Sequence, residues 1–187
     1  MIRYFYYSGW LLIYLVWVVY GIITRLTVNS YAKKKVKIYR IIHVTLFTGS
    51  FVLLLINGDS VFFKIHSGNL TQPSGIVVLY LGCFVAVWAR LLLANNWSGR
   101  IQILEDQKII EKGPYRIVRH PIYPGFTLAF AGSFVYRLNF AGLLALVTVM
   151  VLYHIKIPQE EKVLITEFKD EYPVYMNKTK KLIPFIY

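Results

Sequence analysis

The chain is predicted to be an all-α, polytopic membrane protein with about five transmembrane helices. Of its 187 residues, 57% are hydrophobic and 17% are aromatic, a composition too apolar for a soluble domain of this size. The charged residues lie between long apolar runs, so the net charge of +12 indicates loops that face an anionic membrane surface rather than a nucleic-acid partner. The length suits a single domain, residues 1–187.

Three apolar segments in the N-terminal half are predicted to be helices. Residues 4–24 carry no charge and are long enough to cross roughly 30 Å of hydrocarbon. This segment is too long for a signal-peptide core, so we expect it to be retained. The second segment covers residues 41–58 and the third covers 74–94. Arg90 lies near the end of the third, where we expect its long side chain to reach the membrane interface.

The C-terminal half, residues 95–187, contains two more apolar segments. Residues 122–136 and 138–155 are separated only by Arg137, which predicts a tight helical hairpin. The first of the two is shorter than a full span, and we expect part of it to be buried in protein.

A separate cytoplasmic C-terminal helix is predicted to follow. Pro158 suits a first helical turn, and the carboxylates of Glu160 and Glu161 suit the positive end of a helix dipole. Pro173 is expected to end this helix.

The distribution of lysine and arginine predicts the orientation. If the loop after the first helix is cytoplasmic, 18 of the 21 lysines and arginines lie on the cytoplasmic side. Only Arg3, Lys64 and Arg137 remain for the other side. The N-terminus is therefore expected outside and the C-terminus inside. Residues 95–121 and the C-terminal tail then face the cytosol together.

Histidine, cysteine and serine chemistry is weakly represented. The single cysteine, Cys83, lies in an apolar run and is expected to be a packing residue. No histidine pair has zinc-ligand spacing, so we expect no bound metal. No glycine-rich phosphate loop is present, so any nucleotide-like cofactor is expected to bind in another way. His43 and His154 lie in different predicted helices. They leave open a non-enzymatic membrane subunit that binds haem between two histidines.

The most informative stretch, residues 113–123, lies where the chain enters the fourth helix. An interfacial belt of aromatic and cationic side chains would account for its composition. However, Pro121 and Pro124 interrupt the backbone at this depth, where freed backbone groups need partners. We therefore expect His120 to lie at the floor of a pocket, with Glu160 on the same side of the membrane.

Several motifs together resemble the isoprenylcysteine carboxyl methyltransferase family. They are Asn96-Trp97-Ser98, Glu105-Asp106-Gln107-Lys108-Ile109-Ile110, the run Gly113-Pro114-Tyr115-Arg116-Ile117-Val118-Arg119-His120-Pro121-Ile122-Tyr123, and Pro158-Gln159-Glu160-Glu161 with Phe168, Glu171, Tyr172 and Tyr175. The resemblance covers residues 95–187, and the N-terminal half matches in helix pattern only.

The resemblance implies an integral membrane enzyme that uses S-adenosylmethionine, with the cytoplasmic C-terminal helix capping the cofactor pocket. In a prokaryote it would lie in the cytoplasmic membrane and in a eukaryote in the endoplasmic reticulum, with its site facing the cytosol. The implied cofactor-binding positions are Gln102, Gln107, Lys108, Ile109, Ile110, Tyr115, His120, Pro121, Ile122, Tyr123 and Glu160. Aromatic faces suit a sulfonium cation, and carboxylates and imidazoles suit the polar groups of the cofactor.

The implied reaction is methyl transfer to a lipophilic acceptor such as the carboxylate of a prenylated cysteine. Glu160 and Lys156 are the implied catalytic residues, and Lys156 also binds the acceptor, where the family has an arginine. Lysine keeps the charge but loses the bidentate fork. Phenolic, enolic and amine acceptors therefore stay open, and with them phospholipid N-methylation.

Overall fold

The structure, a computed structural model, describes residues 2–27, 37–55, 69–96 and 107–186. These residues form six α-helices and two short 3-10 helices, which confirms the all-α fold class. The α-helices are α1 (Ile2–Thr27), α2 (Lys37–Leu55), α3 (Thr71–Leu93), α4 (Ile122–Arg137), α5 (Phe140–Phe168) and α6 (Glu171–Lys178). The 3-10 helices are Ala94–Asn96 and Gly113–Arg116.

The first, third and fourth apolar segments form helices close to the predicted bounds. α1 and α3 extend the predicted helices by up to three residues at the N-terminal end, and α4 ends one residue later than predicted. α2 begins before the predicted start, at Lys37. The predicted end of the second helix, residue 58, lies outside the described residues.

The fifth helix corrects the prediction of a separate helix that begins at Pro158. α5 begins after Asn139, whose side chain accepts a hydrogen bond from the N–H of Gly142 at 2.9 Å, and it runs without interruption to Phe168. Proline removes one backbone hydrogen bond. Because Ile157 and Glu161 on either side of Pro158 are both buried, packing holds the helix through this position.

The chain turns after α5 rather than at Pro173. Lys169 adopts a φ of +42°, a conformation that cannot continue a helix. Pro173 lies in the first turn of α6, where the missing N–H needs no helical partner. The expectation that Pro173 ends a helix is therefore wrong.

Three helical segments among the described residues are long and apolar enough to cross a membrane. They are Ile2–Thr24, Thr71–Asn96 and Phe140–Phe168. The apolar part of α2, Ile41–Leu54, is shorter, and α4 has 16 residues. This composition is that of a multi-pass membrane protein.

Contacts between helix ends show that successive helices alternate in direction. Tyr6, near the start of α1, stacks on Tyr136, near the end of α4, with ring centroids 4.4 Å apart. The carbonyl of Leu54, at the end of α2, accepts hydrogen bonds from Tyr6 and Arg137. We call this the Arg137 end, and we call the opposite end, where α4 begins, the His120 end.

The interface between α3 and α4 depends on glycine. A Cβ atom at Gly75 or Gly82 of α3 would collide with the backbone of α4, and one at Gly125 or Gly132 of α4 would collide with the backbone of α3. The two backbones therefore pack in direct contact, as small residues allow in membrane helices. This α3–α4 interface fixes the position of α4 and of the residues at its start.

Arg90 does not reach the surface as the sequence predicted. Its side chain is fully buried, and its guanidinium donates hydrogen bonds to the carbonyl of Ala94 at 2.8 Å and to the hydroxyl of Thr24 at 3.4 Å. It also lies 4.9 Å above the ring of Tyr20. Buried carbonyl, hydroxyl and aromatic partners replace water around the cation, and they join the ends of α1 and α3.

Candidate active site

The site begins with the short helix that precedes α4. Gly113 has a φ of +56°, which glycine adopts without strain, and it directs the chain into Gly113–Arg116. Tyr115 is buried there, and its hydroxyl donates to the carbonyl of Ala89 at 3.3 Å. Burial raises the pKa of the Tyr115 phenol well above its usual value, so the phenol stays protonated. Tyr175 of α6 donates to the carbonyl of Tyr115 at 2.7 Å.

Side chains from α5 and from the start of α4 converge on the carboxylate of Glu160, which is itself a residue of α5. The hydroxyl of Tyr123 donates to Oε2 of Glu160 at 2.5 Å, and Nζ of Lys156, one helical turn earlier, lies 3.3 Å from Oε1. Nδ1 of His120 lies 3.8 Å from Oε2. The structure thus brings together four residues from the sequence-predicted site, at the His120 end.

Aromatic rings surround these polar groups. The ring of Tyr123 lies 5.7 Å from that of His120 and 4.4 Å from that of Tyr153, measured between centroids. Nζ of Lys156 lies 5.3 Å from the centre of the Tyr123 ring. A cation near Glu160 would therefore meet both a carboxylate and an aromatic face.

Glu161 forms a second cluster that sequence reasoning did not assign to the site. Its Oε1 lies 2.9 Å from Nε of Arg119 and 3.3 Å from Nε2 of His120, and its Oε2 lies 3.8 Å from Nζ of Lys181. His120 therefore lies between two neighbouring glutamates, with one ring nitrogen towards each. The paired glutamates were visible in the sequence, but their division between two sets of partners was not.

The C-terminal residues pack directly on the stretch that contains His120. The backbone N–H groups of Arg119 and His120 donate to the carbonyls of Lys180 and Lys181, at 2.8 Å and 3.3 Å. The N–H of Lys180 donates to the carbonyl of Ile117 at 3.0 Å. The Arg119 guanidinium also donates to the carbonyls of Met176 and Thr179, at 3.2 Å and 2.6 Å.

The remaining predicted residues have varied surroundings. Lys108 is exposed, and its backbone N–H donates to the side chain of Asn96 at 2.7 Å. Ile110 packs against the core. Gln107 and Ile109, between which Lys108 lies, are partly buried, and Pro121 and Ile122 are buried. Gln102 lies outside the described residues.

The two histidines considered for haem have different environments. His154 lies on the exposed face of α5. The ring of His43 is stacked on that of Phe47 with centroids 6.4 Å apart, and Phe47 packs against the core. This arrangement gives no support to a haem held between them.

The polar groups at the His120 end fit a ligand that carries both cationic and anionic groups. Glu160 offers a partly buried carboxylate to a cation, and Lys156 offers an ammonium to an anion. The rings of Tyr123 and Tyr153 exclude water on one side and favour positive charge.

The chain is similar to known methyltransferases. Residues 75–166 match the sequence profile of the isoprenylcysteine carboxyl methyltransferase (ICMT) family. A probable protein-S-isoprenylcysteine O-methyltransferase of Oryza sativa subsp. indica is 34% identical over 115 residues, which are 60% of this chain and 60% of the relative. Protein-S-isoprenylcysteine O-methyltransferase B of Arabidopsis thaliana is 28% identical over 60% of this chain and 58% of the relative.

A shorter match has a different acceptor in its name. Methanethiol S-methyltransferase 1 of Bradyrhizobium diazoefficiens is 42% identical over 72 residues, which are 38% of this chain and 24% of the relative. The chain spans about three fifths of the length of the plant relatives that it matches.

Proposed function

We propose that this chain, whose residues 75–166 match the profile of the isoprenylcysteine carboxyl methyltransferase family, is a member of that family and transfers a methyl group from S-adenosylmethionine to a lipophilic acceptor. The acceptor proposed first is the carboxylate of a prenylated cysteine. The observation that carries the proposal is the convergence of His120, Tyr123 and Lys156 on the carboxylate of Glu160, all within the matched segment.

The donor site is proposed to consist of Tyr115, His120, Tyr123 and Glu160, with the predicted stretch Gln107–Ile110 beside them. When bound, S-adenosylmethionine supplies a methyl group on a positively charged sulfur. Glu160 provides a carboxylate for a cationic group, and Tyr123 both orients that carboxylate through the 2.5 Å hydrogen bond and presents an aromatic face. His120 places Nε2 towards Glu161 and Nδ1 towards Glu160, so its ring lies at the edge of the donor site.

The acceptor site is proposed to include Lys156. A carboxylate acceptor is ionised near neutral pH, so methylation of its oxygen requires no general base. The tasks left for the protein are to hold the carboxylate near the donor and to exclude water from both charges. Lys156 is buried and carries the positive charge that can hold an anionic acceptor.

The ion pair between Lys156 and Glu160 suggests an order of binding. In the structure the Lys156 ammonium is paired with Glu160 at 3.3 Å. A cationic group that takes Glu160 as its partner releases this ammonium for an acceptor carboxylate. We therefore expect the methyl donor to bind before the acceptor. Steady-state kinetics with dead-end inhibitors should then show the pattern of an ordered mechanism.

The proposed topology has five membrane-crossing helices in a single domain, with the N-terminus outside. The alternating helix directions and the exposed lysines at the His120 end support it, because cationic residues favour the cytoplasmic side. The active site would then face the cytosol, where the second half of α5, α6 and the C-terminal residues cover it.

The proposal is tested with the purified chain in lipid nanodiscs and S-adenosylmethionine labelled in its methyl group. The acceptors are a prenylated cysteine, a phenolic lipid, phosphatidylethanolamine and an alkanethiol. We expect a base-labile methyl ester on the prenylated cysteine, no product from Glu160→Ala, and normal product from the control Glu167→Ala, which changes an exposed glutamate of the same helix. Label in lipid amines would instead establish phospholipid N-methylation, and no product from any acceptor would refute the proposal.

A thiol is the second candidate acceptor. Two observations favour it: the similarity to a methanethiol S-methyltransferase and the lysine at position 156 where the family has an arginine. A single ammonium does not form the two parallel hydrogen bonds that arginine gives a carboxylate. A base-stable methyl thioether from the alkanethiol, in the assay above, would establish this activity.

A further inference from the structure

We propose that residues 178–186, here called the C-terminal segment, form a docking surface for an anionic lipid bilayer, and that docking holds His120 in place. The second half of this proposal rests on the proposed function, because it concerns the donor site. The first half concerns the membrane alone and is tested separately.

The outward face of the C-terminal segment is apolar. Phe185 is 86% exposed, Ile186 is 76% exposed and Ile183 is 50% exposed. Leu182 packs against the core, so the segment is fixed on one side and presents large apolar side chains on the other. Burial of such side chains in a bilayer interface is favourable in proportion to their area.

Charge selects an anionic bilayer as the occupant of this face. Lys178 and Lys180 are exposed beside the apolar residues. The ammonium of Lys178 lies 4.0 Å from the carboxylate of Glu111, and both side chains are exposed to solvent. At the His120 end the described residues include more exposed cations than exposed carboxylates. The seven cations are Lys108, Lys112, Arg116, Lys162, Lys169, Lys178 and Lys180, and the four carboxylates are those of Glu111, Glu167, Asp170 and Glu171. A cationic surface with apolar side chains binds membranes that contain acidic lipids.

The C-terminal segment is joined directly to the candidate site. Its residue Lys181 accepts the backbone N–H of His120 through its carbonyl and approaches Glu161 at 3.8 Å through its ammonium. Lys180 pairs with the backbone of Ile117 and Arg119. A displacement of the segment would therefore remove hydrogen bonds from the residues that orient the His120 ring.

Docking is measured with a fluorescent label on Phe185→Cys, in a Cys83→Ala background, in nanodiscs with or without phosphatidylglycerol. The control label is on Glu167→Cys, which is exposed at the same end but outside the segment. We expect lipids with a headgroup quencher to quench the Phe185→Cys label more than the control, and more strongly in anionic discs. Equal quenching of the two labels would overturn the docking surface. A Phe185→Cys label that is shielded from water but not quenched by lipid would also overturn it, because a second copy of the protein would then cover the segment.

Coupling is measured as the affinity for S-adenosylhomocysteine in the same nanodiscs. We expect affinity to fall roughly fivefold without phosphatidylglycerol, which is the factor for about one lysine near an anionic surface. Lys178→Gln with Lys180→Gln should remove this lipid dependence, whereas Lys162→Gln with Lys169→Gln, an equal change of charge outside the segment, should keep it. Equal affinity of the wild type in both discs would refute the coupling.

The two failures are distinguishable. A wild type that binds no S-adenosylhomocysteine in any lipid would refute the donor site and the coupling together, while the fluorescent labels would still report whether the segment docks. Binding that is independent of lipid would refute the coupling and leave the donor site intact.

Discussion

The two faces of α4 follow opposite rules of construction. Towards α3 the helix presents Gly125 and Gly132, and the interface is apolar and in direct backbone contact. Towards α5 it presents Tyr123, which meets the charged groups of Lys156 and Glu160. The first face holds α4 against α3 through close packing of the two backbones. The second places charges where burial is costly unless partners or ligands compensate, so its chemistry points to function rather than stability.

Breaking the α3–α4 interface should have the largest effect on folding. In Gly82→Ala the new methyl group would collide with the backbone of Ala129, and no side-chain movement relieves such a contact. We expect the free energy of unfolding in detergent to fall by about 3 kcal/mol or more. The matched control is Gly49→Ala, since Gly49 has open space around it. Equal melting temperatures for the two variants would contradict the close contact.

Just before α4, Arg119→Met should lower the free energy of unfolding by about 3 kcal/mol, because it leaves the buried carboxylate of Glu161 without its closest partner. The control Arg116→Met changes an exposed cation of the same stretch and should be nearly neutral. Thermal unfolding followed by circular dichroism distinguishes them. A melting temperature of Arg119→Met equal to that of the control would show that the Arg119–Glu161 ion pair does not stabilise the fold.

Lys156→Arg tests whether the residue at position 156 binds an acceptor carboxylate at the α4–α5 interface. Arginine restores a bidentate fork for a carboxylate, so we expect the KM for a prenylated cysteine to fall roughly fivefold, a change of about 1 kcal/mol. The KM for the methyl donor should change little. An unchanged KM for the prenylated cysteine, together with methylation of a thiol, would favour the thiol acceptor.

Tyr123→Phe keeps the aromatic face of the residue and removes the 2.5 Å hydrogen bond to Glu160. Such a bond to a charged group contributes about 2 kcal/mol, so affinity for S-adenosylmethionine, which carries the sulfonium, should fall up to roughly thirtyfold. Tyr123→Leu, which removes the ring as well, should bind more weakly still. Equal affinity of the two variants would show that the ring face does not contribute.

Much of the helix pattern could be predicted because the length of an apolar segment can be read directly from consecutive residues. The same locality explains the two errors at prolines: Pro158 lies inside α5 and Pro173 inside α6, since packing of distant residues overrides a local helix-ending signal. The burial of Arg90 was missed for the same reason, because its partners Thr24 and Tyr20 come from α1.

The candidate site was predicted only in part. The motif around His120 and the paired glutamates were recognisable as sequence, and the structure brings His120 and Glu160 together. The separate partners of Glu161 were not predictable, because Arg119 and Lys181 lie far from it in sequence and approach only after folding. The carbonyl groups of Met176 and Thr179 that hold Arg119 carry no sequence signal at all.

The most direct test is a calorimetric titration of S-adenosylhomocysteine into the purified chain and into Glu160→Ala, His120→Ala and the exposed control Glu167→Ala. If His120 and Glu160 hold one methyl donor, the wild type and the control bind with the same affinity, and the two site variants lose at least roughly tenfold in affinity while they melt as folded proteins. Wild-type affinity in both site variants would contradict the account.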